Sequence, residues 1–500
     1  MNRTLLACQG TKTRGQQSER ASISTLGSSR NSRRSLICGK VVVPLTGHIF
    51  IVNASSAICD DRRLPRYTSY PTAPHFDPAI DAGTYAGWLR AIPAGETLSL
   101  YLHVPFCAAL CLYCGCHTTV VRRYAPIAAY VDMLEREIAL IAEHLGTGRQ
   151  VSHIHWGGGT PTILSAADLL RITGVLRAAF DVRPDAEFAI EIDPRKLGPD
   201  EVKTLVAMGV NRASLGVQDF NESVQRAINR IQSYDETARA VAWLRDAGIS
   251  NLNFDLMYGL PHQSVDSVLT SVSQALTLTP DRIALFGYAH VPWMKRHQAL
   301  LPEEHLPDAA KRLRQTRAAS VAICAAGYVA IGLDHFAKPD DSLARARHDG
   351  RLRRNFQGYT TDGASTLIGF GASAIGTLPQ GYVQNAATTA NYRSAVASNG
   401  LATVRGLALT ADDRLRRDVI ERLMCDLAVD LEAVAARHGC DPGVFAAEIS
   451  SVDAKMDEDL ATRDGYRIVV PEEARPFLRH VCAIFDKYLL AGARRHSRAL

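Results

Sequence analysis

The chain has 500 residues, 47% of them hydrophobic, enough to bury a large core and to form two or three domains. Its formal net charge of +5 is small for that length and argues against a nucleic-acid-binding protein. No apolar run approaches the roughly 18–20 residues that span a bilayer, so no membrane partner is expected; the longest early one, Val41 to Val52, is broken by Pro44, Gly47 and His48.

Residues 1–55 differ in kind from the rest. Ser, Thr, Arg, Gly and Gln dominate, and Glu19 is the only acidic residue before Asp60. A disordered basic tail, an organellar transit peptide and upstream sequence translated from a misplaced start all fit this composition. The absence of an apolar helical stripe through Ser18–Arg34 favours the tail or the misplaced start. Residues 56–97 are expected to pack on the active site.

From Leu98 to Phe286 short apolar strands alternate with helical segments, the pattern of a βα repeat. Strands are expected at Leu98–Val104, Val151–Trp156, Phe188–Ile192, Arg212–Val217, Asn251–Leu256 and Arg282–Phe286. Helices are expected between them, for example over Ile127–His144 and Ser165–Phe180, the second capped by Ser165. Six such units make an incomplete α/β barrel, a (β/α)6 fold over about residues 98–300. Residues 301–409 read as a barrel extension and 410–500 as a helical C-terminal domain.

Period-two alternation gives the strands a polar second face. Tyr101 and His103 oppose Leu98, Leu100, Leu102 and Val104. Glu191 opposes Phe188, Ile190 and Ile192, and Arg212, Ser214 and Gln218 oppose Ala213, Leu215 and Val217. Asn251, Asn253 and Asp255 oppose Leu252, Phe254 and Leu256. A barrel core is filled by branched apolar side chains, so these positions predict a lumen that holds a polar ligand.

The first strand runs into Cys107-Ala-Ala-Leu-Cys111-Leu-Tyr-Cys114-Gly-Cys116. Three thiolates at C-x3-C-x2-C can hold an iron–sulfur cubane and leave its fourth iron open to another ligand. With Cys116 as fourth ligand a zinc knuckle is the alternative, at the cost of tight geometry. A disulfide framework is disfavoured, since four of the eleven cysteines cluster and the others are scattered; a reducing, cytoplasmic compartment fits such thiols. The second strand ends in Trp156-Gly157-Gly158-Gly159-Thr160-Pro161, where glycines let backbone approach a ligand.

Beyond Phe286 the rhythm breaks. A helix is expected over Pro302–Gly327 and a further strand at Tyr328–Leu333. Asp334–Asp341 and Arg353–Tyr359 read as donor-rich loops, and Gly369–Gly376 as a glycine-rich turn. From Thr410 the chain is mostly helical; its last part can be read as a winged helix, but DNA binding is disfavoured because the segment is acidic as well as basic.

With these residues placed, the chain resembles the oxygen-independent coproporphyrinogen III oxidases of the radical S-adenosylmethionine (SAM) superfamily. The resemblance rests on Arg66-Tyr-Thr-Ser-Tyr-Pro-Thr-Ala73, Tyr101–Cys116, Trp156–Thr162, Glu191–Arg195, Gly216–Phe220 and Asn253–Pro261. It continues through Tyr288-Ala-His290, His335-Phe-Ala and Arg354–Thr361. It implies that Cys107, Cys111 and Cys114 ligate a 4Fe–4S cluster and that two SAM molecules bind. The matching positions are Tyr101, Tyr113, Gly158, Gly159, Thr160, Glu191, Gln218, Arg230, Asp255, Ala289 and Ile375, with Cys116 as a catalytic residue. Reductive cleavage of SAM to a 5′-deoxyadenosyl radical would start oxidative decarboxylation of two propionates of coproporphyrinogen III to vinyls, giving protoporphyrinogen IX. Such a monomeric enzyme needs a low-potential electron donor of flavodoxin or ferredoxin type and an acceptor the sequence does not reveal. Lys338, Arg345, Arg347, Arg353 and Arg354 are the cationic candidates for the substrate carboxylates. A heme-trafficking relative is the alternative, but such relatives lack both the fourth cysteine and the Arg-Tyr-Thr-Ser-Tyr-Pro segment found here.

Overall fold

A computed structural model describes residues 63–456, 459–490 and 496–498; the expectations for residues 1–55 lie outside the described residues. Six strands form the frame: β1 Leu98–Val104, β2 Gln150–Gly158, β3 Asp181–Ile192, β4 Arg212–Gln218, β5 Asn251–Tyr258 and β6 Arg282–Gly287. They pair in parallel in chain order. Helices α1 Ala125–Leu145, α2 Ala166–Ala179, α3 Pro199–Met208, α4 Tyr234–Asp246 and α5 Val265–Thr277 fill the connections. Parallel neighbours need such crossovers, and the crossovers bury the outer strand faces. Leu98, Leu100, Leu102 and Val104 of β1 and Ala213, Leu215 and Val217 of β4 are buried in this layer, each large side chain contributing ~1.5–3 kcal/mol. Ser165 caps α2 by accepting the Asp168 N–H at 3.2 Å.

The sheet is wider than six strands. Its order is β14-β13-β12-β11-β1-β2-β3-β4-β5-β6-β8-β7, with β7 Val329–Ile331, β8 His335–Ala337, β11 Thr366–Phe370, β12 Ile375–Leu378, β13 Gly381–Asn385 and β14 Thr403–Ala408. β11 lies parallel to β1 as a seventh parallel strand, and the outer strands on both sides are antiparallel. Three expectations are corrected here. Helix α6 spans Ala309–Ala325, not Pro302–Gly327: Pro307 disfavours helix at the residue before it, and Asp308 caps the start through the Lys311 N–H at 2.7 Å. His335–Ala337, read as loop, pairs with β6. Arg353–Asn355 (β9) and Gly358–Thr360 (β10), also read as loop, form a hairpin.

The polar strand faces divide by depth. Near the strand amino ends they form an ionic floor: Arg212 meets Glu187 at 3.0 Å, Arg282 meets Asp341 at 2.8 Å, and Asp362 is bonded by Ser99 and lies 3.2 Å from His153. Those charges pair with one another, although Arg212 Nε and Nη1 make no hydrogen bond. Towards the carboxyl ends the pairing thins out, and the polar-lumen expectation applies to that level alone.

A second core gathers Leu415, Val419 and Leu423 of α7 (Ala411–Asp426) with Phe445, Phe477 and Phe485, and Tyr67 and Tyr70 are built into it. Ala428–Asp430, Thr462–Asp464 and Arg467–Val469 form its three-stranded sheet.

Glu137 of α1 joins the antiparallel extension to the barrel. Its carboxylate accepts the Gly371 N–H at 2.7 Å, the Tyr392 hydroxyl at 2.8 Å and the Asn385 amide at 2.7 Å. Burial raises its pKa to about 7 against these bonds. Glu137→Ala, which strands three buried donors, is expected to cost ~3 kcal/mol in urea unfolding. The folded chain holds a proton there that the unfolded chain has released. Wild-type stability should therefore decline as pH rises from the usual carboxylate range through 7, and Glu137→Gln should flatten that decline.

Candidate active site

The cysteine loop is set by backbone contacts between the ends of β1 and β2. Gly159 N–H donates to Val104 O at 2.8 Å and Thr160 N–H to Phe106 O at 2.9 Å. A Cβ at 159 would lie 2.5 Å from Phe106 O, so only glycine permits the approach. Gly158 has φ +112°, and a Cβ there would sit 2.5 Å from the His103 ring. Phe106–Cys107 then pairs in parallel with Thr119–Val120 and closes the loop's base.

Donors point at the loop's sulfurs. Thr160 Oγ1 lies 3.8 Å from Cys107 Sγ, and Arg230 Nη1 and Arg195 Nη2 lie 3.7 and 4.0 Å from Cys111 Sγ. Asp193 holds both guanidiniums, at 2.6 Å from Arg195 and 3.3 Å from Arg230. A hydrogen bond from Cys116 lowers the Cys114 thiol and raises that of Cys116, which is itself exposed. Donors converging on sulfur are what thiolates and iron–sulfur clusters require. Among the described residues no three His, Cys, Asp or Glu side chains converge as they would around a single ion. The thiolates of a cubane bind different irons, so this spread suits a cluster better than zinc.

The upper lumen continues from the loop. His103 Nε2 donates to His117 O at 3.0 Å, and burial lowers the His103 pKa. The neutral ring therefore keeps its proton on Nε2, and Tyr101 Oη–H donates to Nδ1 at 3.0 Å. Tyr101 also stacks on His155, whose Nε2 lies 3.4 Å from Glu191 Oε1, and Glu191 Oε2 accepts the Gly158 N–H at 3.0 Å. Burial works to raise Glu191, but His155 and that N–H outweigh it and hold the carboxyl below its ordinary range. Asp255 accepts from Ser214 at 3.1 Å and Asn253 at 2.9 Å; burial first, then the Glu191 charge, pushes it up to about 6.

Gln218 has φ +69° and folds back over Gly216, where an added Cβ would lie 3.0 Å from Gln218 Nε2 and 3.2 Å from Arg230 Nη2. Arg230 donates to Gly216 O at 2.6 Å. Arg230 Nε and Asn253 Oδ1 remain buried with no hydrogen-bond partner. Buried polar atoms seldom stay so; a polar ligand such as SAM fits these atoms and the carboxylates beside them.

The fold thus brings Tyr101, Gly158, Gly159, Thr160, Glu191, Gln218, Arg230 and Asp255 to one rim of the barrel. Ala289 follows β6 on that rim, half-buried. The Tyr113 side chain packs instead with Val224, Ile228, Leu260 and Tyr288, and Ile375 packs with Phe76, Tyr382 and Leu409 beyond β11. Of the cations expected to meet carboxylates, Lys338, Arg347 and Arg353 pair with Asp281, Glu472 and Glu421 at 3.0, 3.3 and 3.4 Å. Arg345 lines a surface cavity of about 820 Å³. Arg354 turns inward beside Asp334; burial would raise that carboxyl, but His335, Arg354 and Arg66 hold it at about 2.

His155 and Arg195 were not singled out from the sequence. A register shift between Val151 and His153 puts Val151 and Ile154 both on the buried side, so counting by twos from Val151 misplaces His155. Arg195 stands in the Glu191–Arg195 motif, but its reach to Cys111 depends on Asp193.

This arrangement, thiols on the loop after the first strand and a polar rim above it, defines a radical SAM protein, and the Radical SAM superfamily model matches residues 101–275. A Bradyrhizobium diazoefficiens protein named oxygen-independent coproporphyrinogen III oxidase is 54% identical over 440 residues, covering 88% of this chain and 98% of its own length. One of the same name from Paracoccus denitrificans is 44% identical, covering 88% and 97%. The solved coproporphyrinogen III oxidase (HemN) from Escherichia coli, described as a radical SAM enzyme, superimposes with a TM-score of 0.81 at 38% identity, covering 85% of this chain and all of that one. The chain belongs to the oxygen-independent coproporphyrinogen III oxidase family.

Gly159→Ala must displace Phe106 and with it Cys107. Iron and sulfide per chain, measured after anaerobic reconstitution, should fall severalfold. Gly174→Ala, in α2 with nothing within 4 Å of the added methyl, should leave both unchanged.

Proposed function

We propose that this chain converts coproporphyrinogen III to protoporphyrinogen IX without oxygen, removing two propionate carboxyls as CO2 and leaving vinyls. The observation that supports it most directly is the three-cysteine loop set against a rim of Glu191, Asp255, Gln218 and Arg230 with unmatched buried polar atoms. Cys107, Cys111 and Cys114 would hold a 4Fe–4S cluster. With SAM, that cluster supplies the one-electron chemistry that removes a hydrogen atom from an unactivated carbon. At each propionate the β-carbon loses that hydrogen atom, the bond to the carboxyl carbon breaks, CO2 leaves, and one electron passes to an acceptor.

The residues bind and orient. Arg230, whose Nε is left without a partner, offers a charged N–H donor for the methionine carboxylate. Glu191, held ionised by His155 and Gly158, and Asp255 can accept from the amino group or the ribose hydroxyls. Gly158, Gly159 and Thr160 present backbone at close range, and Tyr101 is held by His103. The remaining matched positions, Tyr113, Ala289 and Ile375, complete the set for two SAM molecules, Ala289 from the barrel rim and Tyr113 and Ile375 from either side of it. Cys116, an exposed residue, is surplus to a three-cysteine site, and with Cys114 bound to iron its thiol would be released to meet substrate. A reducing cytoplasm suits these free thiols, and a monomer suffices for the site.

The deciding experiment is anaerobic turnover of coproporphyrinogen III with SAM and a reductant; vinyl products and CO2 are expected, and their absence from protein with a full cluster would reject the reading. Cys116→Ser should keep the cluster and SAM binding but lose most decarboxylation per cluster. Serine at Cys107, Cys111 or Cys114 should lose the cluster itself, a hard and basic alkoxide being a poor substitute for thiolate. Asp255→Ala should weaken SAM binding about tenfold or more, roughly the worth of one charge-assisted hydrogen bond, with little change in melting temperature. Wild-type affinity with a large loss of stability would make Asp255 a packing residue.

A further inference from the structure

Electrons must reach the cysteine loop from outside the chain, and the loop's borders are unusual. On the Cys107 side, Val121 N–H donates to Cys107 O at 3.1 Å, and Arg122 and Arg123 follow at once, both exposed. On the Cys114 side the segment after β6 straps the loop. Gln298 donates to Tyr113 O at 2.9 Å, His297 to Cys114 O at 2.8 Å and Lys295 to Cys116 O at 2.8 Å. The same segment exposes Met294 at 62% and Trp293 at 39%, the latter with the Arg63 guanidinium 4.5 Å from its ring centre, and Arg296 is exposed beside them.

Two features mark this surface. Some exposed arginines are neutralised, Arg183 by Asp185 at 2.8 Å and Arg437 by Asp418 at 3.0 Å. Arg122, Arg123 and Arg296 have no carboxylate partner among the described residues. Exposed Trp and Met side by side are the residue types that concentrate at protein contacts, and an unpaired cationic border is the complement of an acidic one.

We propose that this surface, with Trp293 and Met294 as its apolar part and Arg122, Arg123 and Arg296 as its charged border, docks an acidic one-electron carrier protein that reduces the cluster. The inference rests on the cluster reading above. One electron leaves the carrier's reduced flavin or iron–sulfur centre, which is oxidised by one electron, and enters the cluster held by Cys107, Cys111 and Cys114. The strap keeps the path short, since the side chains of Lys295, His297 and Gln298, next in sequence to Met294 and Arg296, donate to the carbonyls of the ligand loop. Such contacts are small and transient, and the charges act chiefly on the encounter rate.

The test uses the full chain with its cluster reconstituted, mixed anaerobically with flavodoxin hydroquinone while cluster bleaching is followed. R122E/R123E/R296E should reduce the second-order rate about tenfold or more at low salt, and the wild-type rate should fall as salt is raised. The R122Q/R123Q/R296Q variant should move the same way by less. Reduced methyl viologen, which needs no docking face, should reduce wild type and variants within about twofold of one another. Unchanged flavodoxin rates, equal losses with both reductants, or a raised KM for coproporphyrinogen III with viologen as donor would each overturn the proposal, the last by giving the arginines to the substrate. Wild type whose cluster is reduced but which forms no vinyl product would instead count against the proposed reaction and leave the docking face standing.

Discussion

The contact between the ends of β1 and β2 is the constraint on which the site depends. Gly159 lies so close to Phe106 that its N–H and that of Thr160 donate hydrogen bonds to Val104 O and Phe106 O of the chain entering the cysteine loop. This fixes where Cys107 begins, and Thr160 adds a hydroxyl aimed at the same sulfur. Ligand geometry is thereby delegated to the main sheet, while only the ten residues from Cys107 to Cys116 remain to be shaped by their surroundings. Those surroundings act on the loop's backbone: Leu112 donates to Ile228 O and Asn229 to Leu110 O on one side, and the Lys295–Gln298 strap grips the other.

The lumen above and below this level obeys different electrostatics. In the floor each charge has a partner of opposite sign within about 4 Å, which is how buried ions are tolerated. Near the rim Glu191 and Asp255 share a low-dielectric space without a cation between them, so one stays ionised and the other is driven up. A ligand carrying positive charge relieves that conflict. The protein invests in a site that is unfavourable when empty, while the floor below keeps the barrel closed.

Much of this was legible in the residues. Apolar runs located the six parallel strands of the frame, because each buries an apolar face against helices, and the cysteine spacing located the cluster loop. Three things were hidden for physical reasons. β11 is five buried residues with no crossover helix of its own to announce it, so only its last two residues entered the reading, as the start of a glycine-rich turn at Gly369–Gly376. The bulge near Ser152 inverted the phase of β2 and concealed His155. And the division of the polar face into a paired floor and a less fully paired rim depends on Asp341 and Asp362, which lie between 59 and 263 residues from Arg282 and Ser99, the side chains they bond; no local pattern reveals such partners.

The C-terminal core contains Tyr67 and Tyr70 beside Phe477 and Phe485, Leu64 N–H bonds Ser497 O, and Arg66 reaches Gly287 O at the end of β6. The earliest described residues are therefore held by the last ones. During synthesis at about 5–20 residues per second, the segment carrying Arg66 waits some tens of seconds for its partners to leave the ribosome. The barrel strands meanwhile emerge in the order in which they pair and can assemble as they come. Stop codons or ribosome stalls late in the message would then do more than shorten a domain: they would leave the leading end of the chain without its clasp, a substrate for proteolysis at the end made first.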